Sequence, residues 1–287
     1  MRPNSSASPR FTYSRDKSDF ARKVGDDGGS RFSARAMRRI SDPTMELELS
    51  LIIPTYNERE NIEETLRATI AALAGYPVEI LVVDDDSPDR TWEVVERVAA
   101  VISGIRLVRR IGAPRDQAQA IMEGFRVSRG AIVGKMDADG SHDPGILPQL
   151  IAAIEAGAEV AIGSRYSTGG TISSWPLHRR ILSQVSTAMV RALLDLKIKD
   201  PMSGFWILRR QVYERAAISS VSGYKVLLQL CVRGQAHRIA EVPFHFRDRT
   251  KGKTKVRPRV LLQALTGTIS LAAANRRHST RRGNADE

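Results

Sequence analysis

The chain has 287 residues, 42% hydrophobic and 26% charged, which excludes a wholly disordered or collagen-like protein and allows one large domain or two small ones. Its single cysteine, Cys231, excludes an intrachain disulfide or a cysteine-based zinc centre and suits a reducing compartment. The formal net charge of +12 is carried by the ends: residues 1–45 hold 10 Lys/Arg against 5 Asp/Glu, residues 46–246 hold 23 against 24, and residues 247–287 hold 11 against 3.

Residues 1–45 are rich in Ser, Arg, Gly and Asp and have no clustered hydrophobes, so a disordered basic tail is expected, with no apolar segment of a secretory signal. Order is expected from a short strand at residues 49–54, followed by a helix from about Asn57 to Leu73. Residues 78–83 form an apolar run of the kind buried on both faces of a parallel sheet, ending in Asp84-Asp85-Asp86. Ser87-Pro88-Asp89 opens a helix to about Val101, residues 105–108 read as a strand, 117–128 as a helix, and 131–136 as a fourth strand ending at Asp137-Ala138-Asp139. This alternation predicts an α/β fold with a mainly parallel sheet flanked by helices.

In open α/β sheets ligands bind beyond the carboxyl ends of the strands. Three such ends carry polar clusters here: Pro54-Thr55-Tyr56-Asn57-Glu58, Asp84-Asp85-Asp86-Ser87 and Asp137-Ala138-Asp139. A lone Asp at a strand end is usually a helix cap, and a lone Asp-X-Asp is a weak motif; three clusters in register with the fold carry more weight. Paired acids there are costly unless a divalent metal or a cationic group neutralises them. The sequence has no G-x-G-x-x-G after the first strand, no phosphate-binding P-loop and no G-x-S-x-G elbow, against a dinucleotide oxidoreductase, a P-loop ATPase or an α/β-hydrolase. His142 after the Asp pair is either a loop hydrogen-bonder or a ligand.

Six motifs then carry a resemblance. Leu51-Ile52-Ile53-Pro54-Thr55-Tyr56-Asn57-Glu58, Val82-Val83-Asp84-Asp85-Asp86-Ser87-Pro88-Asp89, and Met136-Asp137-Ala138-Asp139 with Ser141-His142-Asp143-Pro144 resemble family-2 glycosyltransferases of the GT-A fold. Gly163-Ser164-Arg165-Tyr166, Asp200-Pro201-Met202-Ser203-Gly204-Phe205 and Arg249-x-x-Gly252-x-Thr254-Lys255 are similar to the branch of dolichol-phosphate (polyprenol-phosphate) mannose synthases. The resemblance implies inverting transfer of a hexose from a nucleotide sugar to a polyprenyl phosphate, with GDP-mannose the expected donor and UDP-glucose or an aminosugar nucleotide the alternatives.

By the same resemblance, Pro54, Tyr56, Glu58, Val83 and Asp85 hold the nucleotide, and Asp137 and Ala138 contact the nucleotide sugar. Asp139, with the Ser141 position, holds Mg2+ or Mn2+, suited to oxygen ligands and to neutralising the leaving diphosphate. Arg165, Arg179 and Ser183 bind the acceptor phosphate, itself an ionised nucleophile that needs no dedicated base; Arg249 and Lys255 close over the nucleotide. Asp137, Asp139 and Arg165 are the expected catalytic residues. Any single Arg in so basic a chain is otherwise a solvated surface charge.

Three positions depart from the branch pattern: Gln229 replaces Glu, Arg90 replaces Gly, and Gly140 replaces a larger apolar residue. The last two bear on loop geometry beside the donor.

The expected organisation is a tail at 1–45, a catalytic domain at 46–257 and an amphipathic helix with a basic tail at 258–287. Residues 260–274 are too short for a span of about 20 residues and suit either a surface helix or core packing. Ile181, Leu182, Val185, Ala188, Met189, Ala192, Leu193 and Leu196 form an apolar helical face, open to the same two readings. Residues 244–257 alternate apolar and basic side chains and fit a β-hairpin against anionic headgroups. A peripheral enzyme on the cytoplasmic membrane face follows, attached directly or through a membrane-anchored partner protein. No nucleic-acid partner is expected, because the body is neutral and the basic ends lack interleaved aromatics.

Overall fold

A computed structural model describes residues 48–248 except 174, 195–196 and 219–225. The tails at 1–45 and 258–287, the apolar stretch 260–274, Leu196, Arg249 and Lys255 lie outside the described residues.

The alternation expected from the sequence is present. Strand β1 (Leu49–Thr55), helix α1 (Ile62–Ala72), β2 (Val78–Asp84), α2 (Thr91–Ala99), β3 (Ile105–Arg109), α3 (Gln117–Val127) and β4 (Ile132–Lys135) follow one another. Helix α4 (Leu147–Glu155), β5 (Val160–Ser164), the short β6 (Thr171–Ile172) and α5 (Leu177–Leu194) come next. The described chain ends with β7 (Trp206–Arg209), α6 (Arg210–Ala216), α7 (Val226–Arg233), β8 (Ile239–Pro243) and β9 (His245–Phe246).

The seven-stranded sheet has the order β3-β2-β1-β4-β7-β5-β8. All neighbours pair in parallel except β7, which runs antiparallel between β4 and β5. Gly134 makes the β4–β7 pairing possible: a Cβ there would lie 2.5 Å from Ile207 Cγ2 and 2.9 Å from the Trp206 carbonyl oxygen. β1 lies between β2 and β4, so the strand order reverses beside it, and the carboxyl ends of these strands are where ligands bind in open α/β sheets.

Both faces of the sheet are covered, which is why its strands read as continuous apolar runs. Leu49, Leu51 and Ile53 of β1 face α1, α2 and α4 through Leu66, Val95 and Ile151. Ile52 points the other way, with Leu81 and Val83, toward Phe125 of α3 and Leu227, Leu230 and Cys231 of α7. Cys231 is buried, and that burial pushes its thiol up to about 12. The one charge inside the second strand, Glu79, is buried but fully engaged: Ser50 Oγ (2.7 Å), Arg106 Nη1 (2.6 Å) and the Arg129 N–H (2.8 Å) all donate to it. Burial raises its carboxyl, and these donors together outweigh that and leave it below the usual range.

α5 settles one alternative. Thr187, Val190 and Leu194 are its buried positions, and the last two pack with Leu228 of α7. Leu177, Ile181, Leu182, Val185 and Met189 are exposed, Val185 by 56% and Leu177 by 72%, so most of the expected apolar face is not core, while Leu193 packs with Val190 and Leu194. In residues 244–257, read as a hairpin, the pairing present is that of β9, which runs parallel to β6; residues 249–257 lie outside the described part. Among the described residues no helix is long and apolar enough to cross a membrane.

Candidate active site

The β1–β2 register places Pro54 beside Val83 and Thr55 beside Asp84, so both strand ends finish level. Asp84 is the turn-former that a single strand-end acid is expected to be: its carboxylate accepts from Thr55 Oγ1 (2.7 Å), Ser87 N–H (2.8 Å) and Ser87 Oγ (2.7 Å). The two loops are then laced together, Asn57 N–H donating to Ser87 Oγ (3.1 Å) and Glu58 N–H to Thr91 Oγ1 (3.0 Å). Three non-glycine residues here take left-handed backbone, Asn57 (φ 57°), Asp86 (φ 51°) and Arg90 (φ 64°). Arg90 thus holds a backbone conformation that glycine adopts freely, at a steric cost of about 1 kcal/mol. Gly140 also has a positive φ, 74°, in the turn after the Asp pair.

Asp85 lies deeper. Arg110 Nη1 donates to Oδ1 and the Asp116 N–H to Oδ2 (2.9 Å). Burial raises its carboxyl above the usual range, against the opposing pull of Arg110. Tyr56 is half-buried with the Arg115 guanidinium 3.9 Å from its ring centroid. Glu58 accepts from Asn61 Nδ2 at 2.8 Å. Arg110, Arg115 and Asp116 were not identifiable from the sequence, because they sit in an irregular loop far from Asp85 and Tyr56 in the chain.

At the end of β4, Asp137, Ala138 and Asp139 form a tight turn. The Ala138 carbonyl accepts from Thr65 Oγ1 at 2.9 Å. Asp139 and Ser141, the two expected metal positions, adjoin one another: Asp139 Oδ1 accepts from the Ser141 N–H (3.1 Å) and Oγ (2.6 Å), and both residues are buried. Among the described residues no three Asp, Glu, His or Cys side chains converge as a metal cage. A hard oxygen pair of this kind fits a divalent ion such as Mg2+ or Mn2+, to which it would add oxygen ligands.

His142 is a loop hydrogen-bonder. The Asp137 N–H donates to its Nδ1 at 3.0 Å, which puts the neutral ring's proton on Nε2, 3.7 Å from Asp137 Oδ2. Burial is the main cause that pushes this imidazole down to about 4. Its ring stacks on Phe205 (5.1 Å between centroids) and meets the edges of Phe244 and Phe246. Phe246 in turn touches Trp175 (5.3 Å) and faces the Arg165 guanidinium (5.7 Å). This aromatic cluster joins the Asp137–Asp139 turn to the expected acceptor residues, so the two groups lie side by side.

On that second side, Arg165 is held by Asp200 of the fifth motif. Its N–H (2.9 Å) and Nε (2.8 Å) donate to Oδ2 and its Nη2 to Oδ1 (2.8 Å). Burial lowers the guanidinium's pKa, and the paired carboxylate outweighs it, leaving Arg165 permanently charged with a raised pKa. Arg179 stacks on Trp175 (4.1 Å) and reaches Asp248 Oδ1 at 3.4 Å. Ser183, one turn on, accepts from the Tyr166 hydroxyl at 2.8 Å. The indole Nε1 of Trp175, whose ring lies between the two arginines, is buried without a hydrogen-bond partner among the described residues. Asp200, Tyr166 and Trp175 complete this side; Tyr166 and Asp200 fall within motifs marked in the sequence, and Trp175 does not.

A family model described as glycosyl transferase family 2 matches residues 50–216. The chain is 39% identical over 221 residues to a dolichol-phosphate mannosyltransferase of Pyrococcus furiosus, covering 76% of this chain and 62% of that protein, less than two thirds of its length. It is 38% identical to a polyprenol monophosphomannose synthase of Mycolicibacterium smegmatis, over 72% of this chain and 80% of the relative. A crystal structure of glucosyl-3-phosphoglycerate synthase from Mycobacterium tuberculosis, in complex with Mn2+, UDP and phosphoglyceric acid, has the same fold, with a TM-score of 0.62 at 20% identity over 78% of each chain.

Proposed function

The chain belongs to glycosyl transferase family 2, and from that premise we propose that it moves mannose from GDP-mannose onto a polyprenyl phosphate with inversion at the anomeric carbon. The observation that carries this reading is the adjacency, through the His142–Phe205–Phe246 cluster, of the acids at the Asp137–Asp139 turn and the guanidinium groups of Arg165 and Arg179. The nucleotide would lie along Pro54, Tyr56, Glu58, Val83 and Asp85, and its sugar at Asp137 and Ala138. Asp139 and Ser141 would hold Mg2+ or Mn2+, whose charge would offset that of the leaving diphosphate.

A phosphate oxygen of the acceptor attacks the anomeric carbon, a carbon–oxygen bond forms, and the bond to the nucleoside diphosphate breaks. No side chain has to remove a proton, because the acceptor phosphate is already ionised. The work left to the protein is alignment and charge. Arg165, fixed by Asp200, and Arg179, fixed on Trp175, supply the charge, with Ser183 one helical turn from Arg179. Arg249 and Lys255 complete the donor side in this reading. The exposed Ile181, Leu182, Val185 and Met189 beside those cations support a membrane surface as the source of the lipid. A cytoplasmic-face peripheral attachment, direct or through a membrane-anchored partner, is the corresponding localisation.

The test is a panel of radiolabelled GDP-mannose, UDP-glucose and an aminosugar nucleotide, each with a polyprenyl phosphate and Mg2+ or Mn2+. Label in the lipid phase with GDP-mannose alone supports the full reading. Label from another donor overturns the sugar assignment, and no label from any donor overturns the reaction.

A further inference from the structure

Lys135 is the last residue of β4, in the middle of the sheet, and its side chain is only 6% exposed. Lysine is rarely buried so far, because its charge must be compensated where water is absent. Its compensation is Asp137: the ammonium donates to Oδ1. Two residues apart at the end of the strand, their side chains meet on the same side of the sheet. Gln117 Nε2, at the start of α3, donates to the same oxygen at 3.1 Å, and His142 Nε2 lies 3.7 Å from the other. The fold also keeps space for this group. A Cβ at Gly204 would lie 3.1 Å from each of Lys135 Nζ, Asp137 Oδ2 and His142 Cε1.

The two acids of the Asp-X-Asp turn are therefore not equivalent. Asp139 Oδ1 is turned onto Ser141, whereas Asp137 is engaged by a fixed cation of the fold. We propose that Lys135 is a positioning residue that withholds Asp137 from the metal, so that the ion is held through Asp139 and binds firmly only together with a nucleoside diphosphate. Lys135 acts in two ways: it occupies the Asp137 carboxylate, and its charge repels a divalent cation that arrives without phosphates. The same ion pair orients Asp137 toward the donor. This inference rests on the donor site proposed above.

Mn2+ binding by the full chain, followed by the electron paramagnetic resonance of the free ion, tests it with no acceptor lipid present. The unmodified protein should bind Mn2+ weakly alone and at least about tenfold more tightly with GDP or UDP. Changes to residues behind a metal site typically shift affinity by about 10–100-fold. Lys135→Met and Lys135→Gln should therefore strengthen nucleotide-free Mn2+ binding by about tenfold or more and reduce the nucleotide dependence; Lys135→Arg should restore the original pattern. Unchanged nucleotide-free binding in a folded Lys135→Met or Lys135→Gln protein overturns the inference and leaves the donor site standing. Tight nucleotide-independent Mn2+ binding by the unmodified chain overturns it without any variant. If neither nucleotide promotes Mn2+ binding, the donor site falls and this inference with it.

Discussion

On the strand-end side of the site the polar groups are carboxylates, and the fold brings cations to hold them: Arg110 to Asp85 and Lys135 to Asp137. On the α5 side the arrangement is inverted. Arg165 and Arg179 are the functional cations, and Asp200, Asp248 and the face of Trp175 hold them. Each half is complementary in charge to what it is proposed to receive. A diphosphate that travels with a divalent cation meets acids, and a bare phosphate monoester meets guanidinium groups. The halves also differ in burial, since Asp139 is almost fully enclosed whereas α5 shows its apolar side chains to the solvent.

The most severe test of this contrast is Asp139→Ala. It should leave donor binding without metal dependence and cut transfer about a thousandfold or more, roughly 4 kcal/mol in barrier. Retention of a tenth of the activity would remove the metal from this residue. On the other side, Asp200→Ala strands Arg165 as an uncompensated buried charge. A loss of about 3–5 kcal/mol in urea-unfolding stability is expected, with Asp200→Asn milder. A change within 1 kcal/mol, of the size about expected for an exposed pair, would mean Arg165 is not held by charge.

These two residues also show what the chain reveals before it is folded. Asp139 was legible because it ends an apolar run in a family motif. The role of Asp200 was not, because its partner is 35 residues away and their pairing depends on β7 running antiparallel beside β5. The same is true of Lys135, which reads as one more residue of a strand until the sheet places it against Asp137, Gln117 and Gly204. Periodicity gave the apolar face of α5 but not its environment, since core and surface stripes have the same spacing. Only the position of α7 under Val190 and Leu194 decides it.

Acid separates the halves as well. The His142 pKa is lower in the folded chain, about 4, than its usual 6.5, so the unfolded chain binds the proton more tightly. Its contribution is whole above about pH 6.5 and is lost as the pH falls toward 4, by about 3 kcal/mol at most. The imidazole proton shifts followed by NMR should titrate near the lower value; a midpoint near 6.5 would deny the ring its buried place against Phe205.

Arg179→Ala should sharpen the division further. Acceptor KM should rise about tenfold or kcat fall by as much, worth about 1.4 kcal/mol, while calorimetric nucleotide affinity stays within twofold of roughly its original value. An equal loss of nucleotide affinity would assign the helix to the donor. The smallest expected effect is Arg90→Gly, which relieves a left-handed backbone beside the donor loops and should add up to about 1 kcal/mol of stability. A destabilised variant would mean that the surface pair between Arg90 and Glu93 matters more than the backbone.

The isolation of Cys231 has a practical consequence. It is the chain's only thiol, and burial holds its pKa near 12, so alkylating and maleimide reagents find no reactive sulfur on the native protein. Pulse labelling of the unaltered chain then reports opening of the packing around α7. A cysteine placed at Val185, on the exposed stripe of α5, becomes the one site a polarity-sensitive dye can occupy. Its emission against vesicles of chosen composition would report contact between that helix and lipid without a second label or a cysteine-free background.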